Sequence, residues 1–154
     1  MKNKNVAFLL LALLLAACDR PGIAERMNSV LEGIEAEIGY VNTLDDSEVE
    51  KFADWFERHG DPSDKSRALF CLGRNQFNSG RYAAAIVTYT RALEYAQTAS
   101  DTLSVARITR DMAHTCNATW NTTDEIRYLG LSAQAFKAVE REDESQRALL
   151  EIGI

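Results

Sequence analysis

The sequence predicts an all-α fold, a short stack of antiparallel helical hairpins, and three observations carry that prediction. One phrase recurs at an offset of forty: SRALFCLG (66–73), ARITRDMA (106–113) and QRALLEIG (146–153) align with Arg67, Arg107 and Arg147 in register and end apolar-then-small each time. Apolar residues fall at three- and four-residue steps, as in Tyr82, Ala85, Ile86, Tyr89, Leu93 and Ala96, and again in Ile126, Leu129, Ala133, Phe136 and Val139. No alternating apolar-polar run is long enough to compete as a strand.

Residues 1–17 are expected to be a targeting segment. Lys2 and Lys4 form a cationic start, Val6 to Ala17 is uncharged and apolar, and small residues lead to Cys18. Twelve helical residues span roughly 18 Å, short of the ~30 Å hydrocarbon core of a bilayer. The segment thus reads as an export signal and not as a permanent span. Leu15-Ala16-Ala17-Cys18 resembles the lipobox of bacterial lipoproteins, and that resemblance implies cleavage before Cys18 and acylation of its thiol. Several acyl chains would anchor stably where one is marginal. Residues 18–25 would then be the lipidated cysteine and its tether, on the extracytoplasmic side of the inner or outer membrane of a Gram-negative bacterium. Asp19 would hold an enteric lipoprotein at the inner membrane, but other groups do not follow that rule.

About 136 residues remain, enough for one domain with a core. Without Lys2 and Lys4 they carry 15 basic and 23 acidic residues, a net charge near −8 that argues against nucleic acid as a partner. Residues 26–62 read as a degenerate hairpin: a first helix over 24–38, then a second over 47–60 with Val49, Phe52, Ala53 and Phe56 on one face. Gly60 is expected to close it in a left-handed cap, and Pro62 to open the next helix.

Residues 63–101 form the clearest unit. Leu69, Leu72-Gly73, Gly80, Tyr82, Ala85, Tyr89 and Ala92-Leu93 stand in an order that resembles the tetratricopeptide repeat, an antiparallel helix pair that stacks into an α-solenoid. Small residues at Gly73, Ala85 and Ala92 let the two helices approach, and Tyr82 and Tyr89 fill the space beside them. Residues 102–142 are a weaker copy, with Ala113 for the glycine, an extra residue expected in the NATWNTTDE turn, and Gly130 where an aromatic belongs. The period of about forty exceeds the usual length of that repeat, which longer second helices or turns would explain. Residues 143–154 read as the first helix of a third, incomplete unit. A continuation, another chain or self-association is expected to cover its apolar face. An ordinary helical bundle with fortuitous repetition is the alternative architecture.

No catalytic constellation is visible. Phosphate-binding glycine loops and nucleophile elbows are absent, His59 and His114 lack ligand spacing, and the acids are spread along helix faces, so neither an enzyme nor a metal or other cofactor is expected. Cys71 and Cys116 lie within apolar helical patterns and read as small core residues, with a disulfide between them as the alternative in an exported chain.

In the resembled family the first helix of each pair lines a groove. Carried over, that face would present Arg67, Phe70, Arg74 and Phe77 from one unit, Arg107, Arg110, His114 and Asn117 from the next, and Arg147 from the third. Arginines there would clamp an acidic segment or a C-terminal carboxylate of a protein or peptide partner. The bland reading is that they pair with nearby acids. The expected function is a non-enzymatic, membrane-anchored protein-interaction scaffold. The alternatives are an extracytoplasmic sensor or assembly subunit forming the N-terminal part of a longer envelope protein, and a carbohydrate-capture lipoprotein with Trp55 and Trp120 as its aromatic candidates.

Overall fold

The computed structural model describes residues 46–153 and, before them, Gly22 and Glu25. Two compact units divide the chain, Met1–Ile38 and Gly39–Ile154. In the first, Gly22 and Glu25 are helical and exposed. The targeting segment 1–17, Cys18 and the remainder of the expected helix over 24–38 lie outside the described residues.

The second unit is all-helical among the described residues: α1 (Asp46–His59), α2 (Pro62–Asn78), α3 (Tyr82–Thr98), α4 (Thr102–Ala118), α5 (Thr122–Ala138) and α6 (Glu142–Ile152). Each helix packs on its sequence neighbours, and α2 also touches α4, as stacked hairpins require. Helices α2 to α5 are 17 residues each, and α2 to α6 begin at residues spaced by twenty. The forty-residue period is therefore two equal halves, with both helices of a pair lengthened alike and every turn between them three residues long.

Those turns share one geometry. Residues Gly80, Ser100, Trp120 and Glu140 all have positive φ, at 73°, 57°, 60° and 59°. In each, the following N–H reaches back five residues to the helix carbonyl (Arg81 to Gln76, Asp101 to Ala96, Asn121 to Cys116, Arg141 to Phe136; 2.8–2.9 Å). Together with the shorter bonds from residues 80, 100, 120 and 140 to carbonyls three before them, this is a Schellman cap repeated four times. Only the first copy uses the glycine that the conformation favours.

Two sequence expectations are corrected here. The NATWNTTDE turn holds no extra residue, so Leu129, not Gly130, occupies the place of Tyr89; both are fully buried, at 1% and 0% exposure. Gly60 is not in the left-handed region. Its N–H bonds the Phe56 carbonyl at 2.7 Å, and an added Cβ would stand 2.8 Å from that oxygen and 2.9 Å from the Asp64 Cβ. Crowding, not handedness, accounts for glycine at that position.

Gly73 acts as expected, and buried serines add contacts that the spacing did not show. A Cβ on Gly73 would lie 2.5 Å from the Tyr89 ring, so the absence of a side chain is what lets that ring bury itself between α2 and α3. Ser66 Oγ donates to the Ala92 carbonyl at 2.9 Å, and Ser132 Oγ donates to the Ala106 carbonyl at the same distance. Ser66 and Ala106 are equivalent positions, as are Ala92 and Ser132. The two hairpins thus make the same close contact with the donor moved to the opposite helix. Ser145 continues the stack by donating to the Ala133 carbonyl at 2.9 Å, and Ala113, Leu129, Ala133 and Ala148 form one buried cluster across α4, α5 and α6.

Helix starts differ in quality. Asp61, Asp101 and Asn121 cap α2, α4 and α5 by accepting from backbone N–H groups three residues on, whereas Arg81 and Arg141 give α3 and α6 no side-chain cap. On the side of the second helices, α1 is joined to α3 by Glu50–Arg81 (3.6 Å) and by Glu57–Arg91. Cys71 and Cys116 are both buried.

Candidate functional site

The residues singled out from the sequence lie on the first helices of the hairpins, α2, α4 and α6. Because helix starts are forty residues apart in this series, Arg67, Arg107 and Arg147 share a register position, as do Phe70, Arg110 and Leu150, and Arg74 with His114. The structure distinguishes their environments. Arg67 and Arg107 are half-buried and Arg147 is exposed. Phe70 is 7% exposed, with Tyr89 beside it at 6.1 Å between ring centroids and the Arg74 guanidinium above it at 5.7 Å. It therefore supports the face and offers a ligand little area.

Arg74 is drawn inward. Its Nε donates to Asp111 Oδ2 at 2.7 Å, between side chains that are 13% and 1% exposed. The other carboxylate oxygen, also buried, accepts no hydrogen bond within the described residues and has the Arg110 Nε 3.8 Å away. Arg110 in turn lies 5.6 Å above the Phe136 ring. A carboxylate this deep requires its cation, since the desolvation cost of an unpaired charge is several kcal/mol. Asp111 was not singled out from the sequence. The available signal was an acid in the middle of the apolar octet 106–113, but its partner lies 37 residues away on another helix and no local spacing reveals it.

The same contact is repeated one unit on. His114 stands where Arg74 does and Glu151 where Asp111 does, again 37 residues apart, with His114 Nε2 3.7 Å from Glu151 Oε2. This second pair is open, its side chains 31% and 45% exposed. Beside it lies a pocket of about 270 Å³ lined by Ala113, His114, Asn117, Glu125, Leu129 and Glu151. Asn117 Nδ2 donates to Glu125 Oε1 at 2.7 Å across its mouth.

Around the pocket rim, Asp124 accepts hydrogen bonds from the Arg127 guanidinium and the Asn121 side chain, which hold its carboxyl below the usual range. Burial, followed by the neighbouring Asp124 and Glu125 charges, pushes the Cys116 thiol up. Among the described residues no three His, Cys, Asp or Glu side chains gather closely enough to hold a metal ion. No described helix is long and apolar enough to cross a membrane.

Of the two tryptophans, Trp55 is half-buried with Phe56 edge-on at 4.9 Å and His59 alongside. Trp120 projects from a turn at 93% exposure.

In comparisons with known proteins, no family model, curated protein or solved structure matches the chain.

Proposed function

We propose that the protein is a non-enzymatic interaction scaffold of the cell envelope, held to a membrane through lipid on Cys18, that binds an acidic protein or peptide segment along the face of α2, α4 and α6. The observation that carries this reading is the alignment of Arg67, Arg107 and Arg147, two half-buried and the third exposed, at one register position of three stacked first helices in a chain of net charge −6. A row of guanidinium groups against an acidic background attracts carboxylates from a distance and binds them through paired donors. The tetratricopeptide resemblance supports the same face, because it assigns ligand contact to the first helix of each pair.

The roles on this face divide. Arg67, Arg107 and Arg147 are the ligand-facing cations, with Arg110, His114 and Asn117 beside them. Arg74 is the positioning residue that ties α2 to α4 through Asp111, and Phe70 supports it. The test is fluorescence anisotropy of a labelled glutamate-rich peptide with the full-length chain in detergent micelles. Arg107→Ala and Arg147→Ala should each weaken binding on the order of tenfold, the effect of losing one charge-assisted contact. Undiminished affinity in the double variant would refute the reading. The nearly complete exposure of Trp120 favours carbohydrate capture as a second reading, which predicts quenching of its fluorescence by oligosaccharide and loss of binding in Trp120→Ala.

A further inference from the structure

The pocket between α4, α5 and α6 has a counterpart forty residues earlier that is filled, and the comparison between the two says what it would take. Its six lining residues, Ala113, His114, Asn117, Glu125, Leu129 and Glu151, stand where the first hairpin and its neighbour carry Gly73, Arg74, Phe77, Ala85, Tyr89 and Asp111. Three of the exchanges remove large side chains: Arg to His, Phe to Asn and Tyr to Leu. In the earlier position the Tyr89 ring is wholly buried and the Arg74 guanidinium reaches the Asp111 carboxylate at 2.7 Å. In the later one His114 stops 3.7 Å short of Glu151, and the space left is about 270 Å³. That is below the roughly 300–1,000 Å³ of small-molecule sites and suited to one side chain.

A fourth exchange gives the space its charge. Ala85, a fully buried methyl group, becomes Glu125, so that a second carboxylate joins Glu151 in the pocket lining. The floor, Ala113 and Leu129, is apolar and buried. An apolar floor with two carboxylates at the rim is the complement of an aliphatic stem that ends in a cation.

We propose that this pocket binds a guanidinium group on an aliphatic stem, the arginine side chain of a ligand segment, which there takes the place that Arg74 occupies against Asp111 one repeat earlier. The planar fork of the guanidinium can engage a carboxylate of this lining through paired donors, which an ammonium cannot do as well. The inference deepens the groove reading and rests on it: the ligand would carry an arginine C-terminal or N-terminal to its acidic stretch, and the face would read both charges, anionic over Arg67 and Arg107 and cationic at α4–α6.

The experiment uses the full-length chain in micelles and three probes: N-acetyl-arginine amide and N-acetyl-lysine amide, a guanidinium and an ammonium of the same charge, and N-acetyl-citrulline amide, the uncharged near-isostere of arginine. Agmatine is a fourth arm, to distinguish a free guanidino compound from a peptide side chain. Binding is read by calorimetric titration and by the shift of the Asn117 side-chain amide resonances. The arginine probe should bind at least tenfold more tightly than the citrulline probe, with lysine between them, and Glu151→Gln should weaken it on the order of tenfold. His114→Arg should abolish the site by supplying the guanidinium from within the chain, while the helical signal and melting temperature are kept or raised. Agmatine binding more tightly than the arginine amide would overturn the peptide assignment. Equal binding of arginine and citrulline probes, no binding of either, or unchanged binding in His114→Arg would overturn the proposal. The glutamate-rich peptide is titrated against the same His114→Arg variant: retained acidic-peptide binding with no arginine site in the parent chain sinks this inference alone, and loss of acidic-peptide binding in Arg107→Ala,Arg147→Ala remains the separate test of the groove.

Discussion

Replacing Arg74 by Met should destabilise the protein by about 3–5 kcal/mol. The guanidinium is the only cation that hydrogen-bonds Asp111 among the described residues, at 2.7 Å, and the Asp111 side chain is 1% exposed. Met keeps an unbranched stem and removes the guanidinium, both its bond to Asp111 and its place over the Phe70 ring. A buried carboxylate left without its partner costs about 3–5 kcal/mol, whereas replacing both members of such a pair by apolar residues is often neutral or stabilising. Arg74→Met with Asp111→Leu should therefore recover most of the loss. Against a typical domain stability of about 5–15 kcal/mol the single variant approaches its threshold. In urea, with a slope of about 1–3 kcal/mol/M, its midpoint should fall by about 2 M, and that of the double variant by much less. The assay is urea unfolding followed by circular dichroism at 222 nm, arranged as a double-mutant cycle. A loss under about 1 kcal/mol in the single variant, or a double variant no more stable than Arg74→Met, would refute the claim that this pair joins α2 to α4.

The repeated caps make a second prediction. Ser100, Trp120 and Glu140 hold left-handed conformations that cost a residue with a Cβ roughly 1–2 kcal/mol, partly offset by the greater freedom glycine has when unfolded. Glycine at each should therefore raise stability by about 0.5–1 kcal/mol, most cleanly at the exposed Trp120, and thermal melts of the three single variants check it. Gly73→Ala should be destabilising by about 1–3 kcal/mol, because the new methyl group meets the Tyr89 ring at 2.5 Å in a buried interface. Melting Gly73→Ala beside Gly73→Ala,Tyr89→Phe gives a further check, since the double variant should stay as unstable as the single. The Cys116 thiol, raised by burial, should resist alkylation in the folded protein at pH 8 and react on addition of denaturant. The sign for stability follows: the unfolded chain ionises this thiol first, so the contribution is fully present below the ordinary thiol pKa and is lost as pH rises through the higher folded value. Equal alkylation rates with and without denaturant would contradict the buried position.

The all-helical class and the hairpin order were legible because the octets at 66, 106 and 146 carry both the period and the apolar face. Gly80 carries its left-handed cap on the residue type that usually bears it, whereas the same expectation fails at Gly60. Trp120 was not, since nothing about an indole announces that backbone conformation, and without that anchor the turn was given a residue too many. That slip moved the expected aromatic position from Leu129 to Gly130 and hid the exchange that opens the pocket. Asp111 was illegible for a different reason. A single acid among Ile108, Thr109 and Met112 looks like surface, and only the approach of α2 to α4 shows that it faces Arg74. Spacing puts Arg74 on the same helix face as the other arginines, with Phe70 beside it, but spacing cannot distinguish a cation that faces solvent from one that faces a buried carboxylate.

The central claim is that the first helices, and not the second, carry the ligand. Amide hydrogen exchange across the full-length chain, with and without a saturating glutamate-rich peptide, tests it most directly. Added protection concentrated in α2, α4 and α6, with α3 and α5 unchanged, is the predicted result. Protection that falls on α3 and α5, or none at all at saturation, would contradict the account.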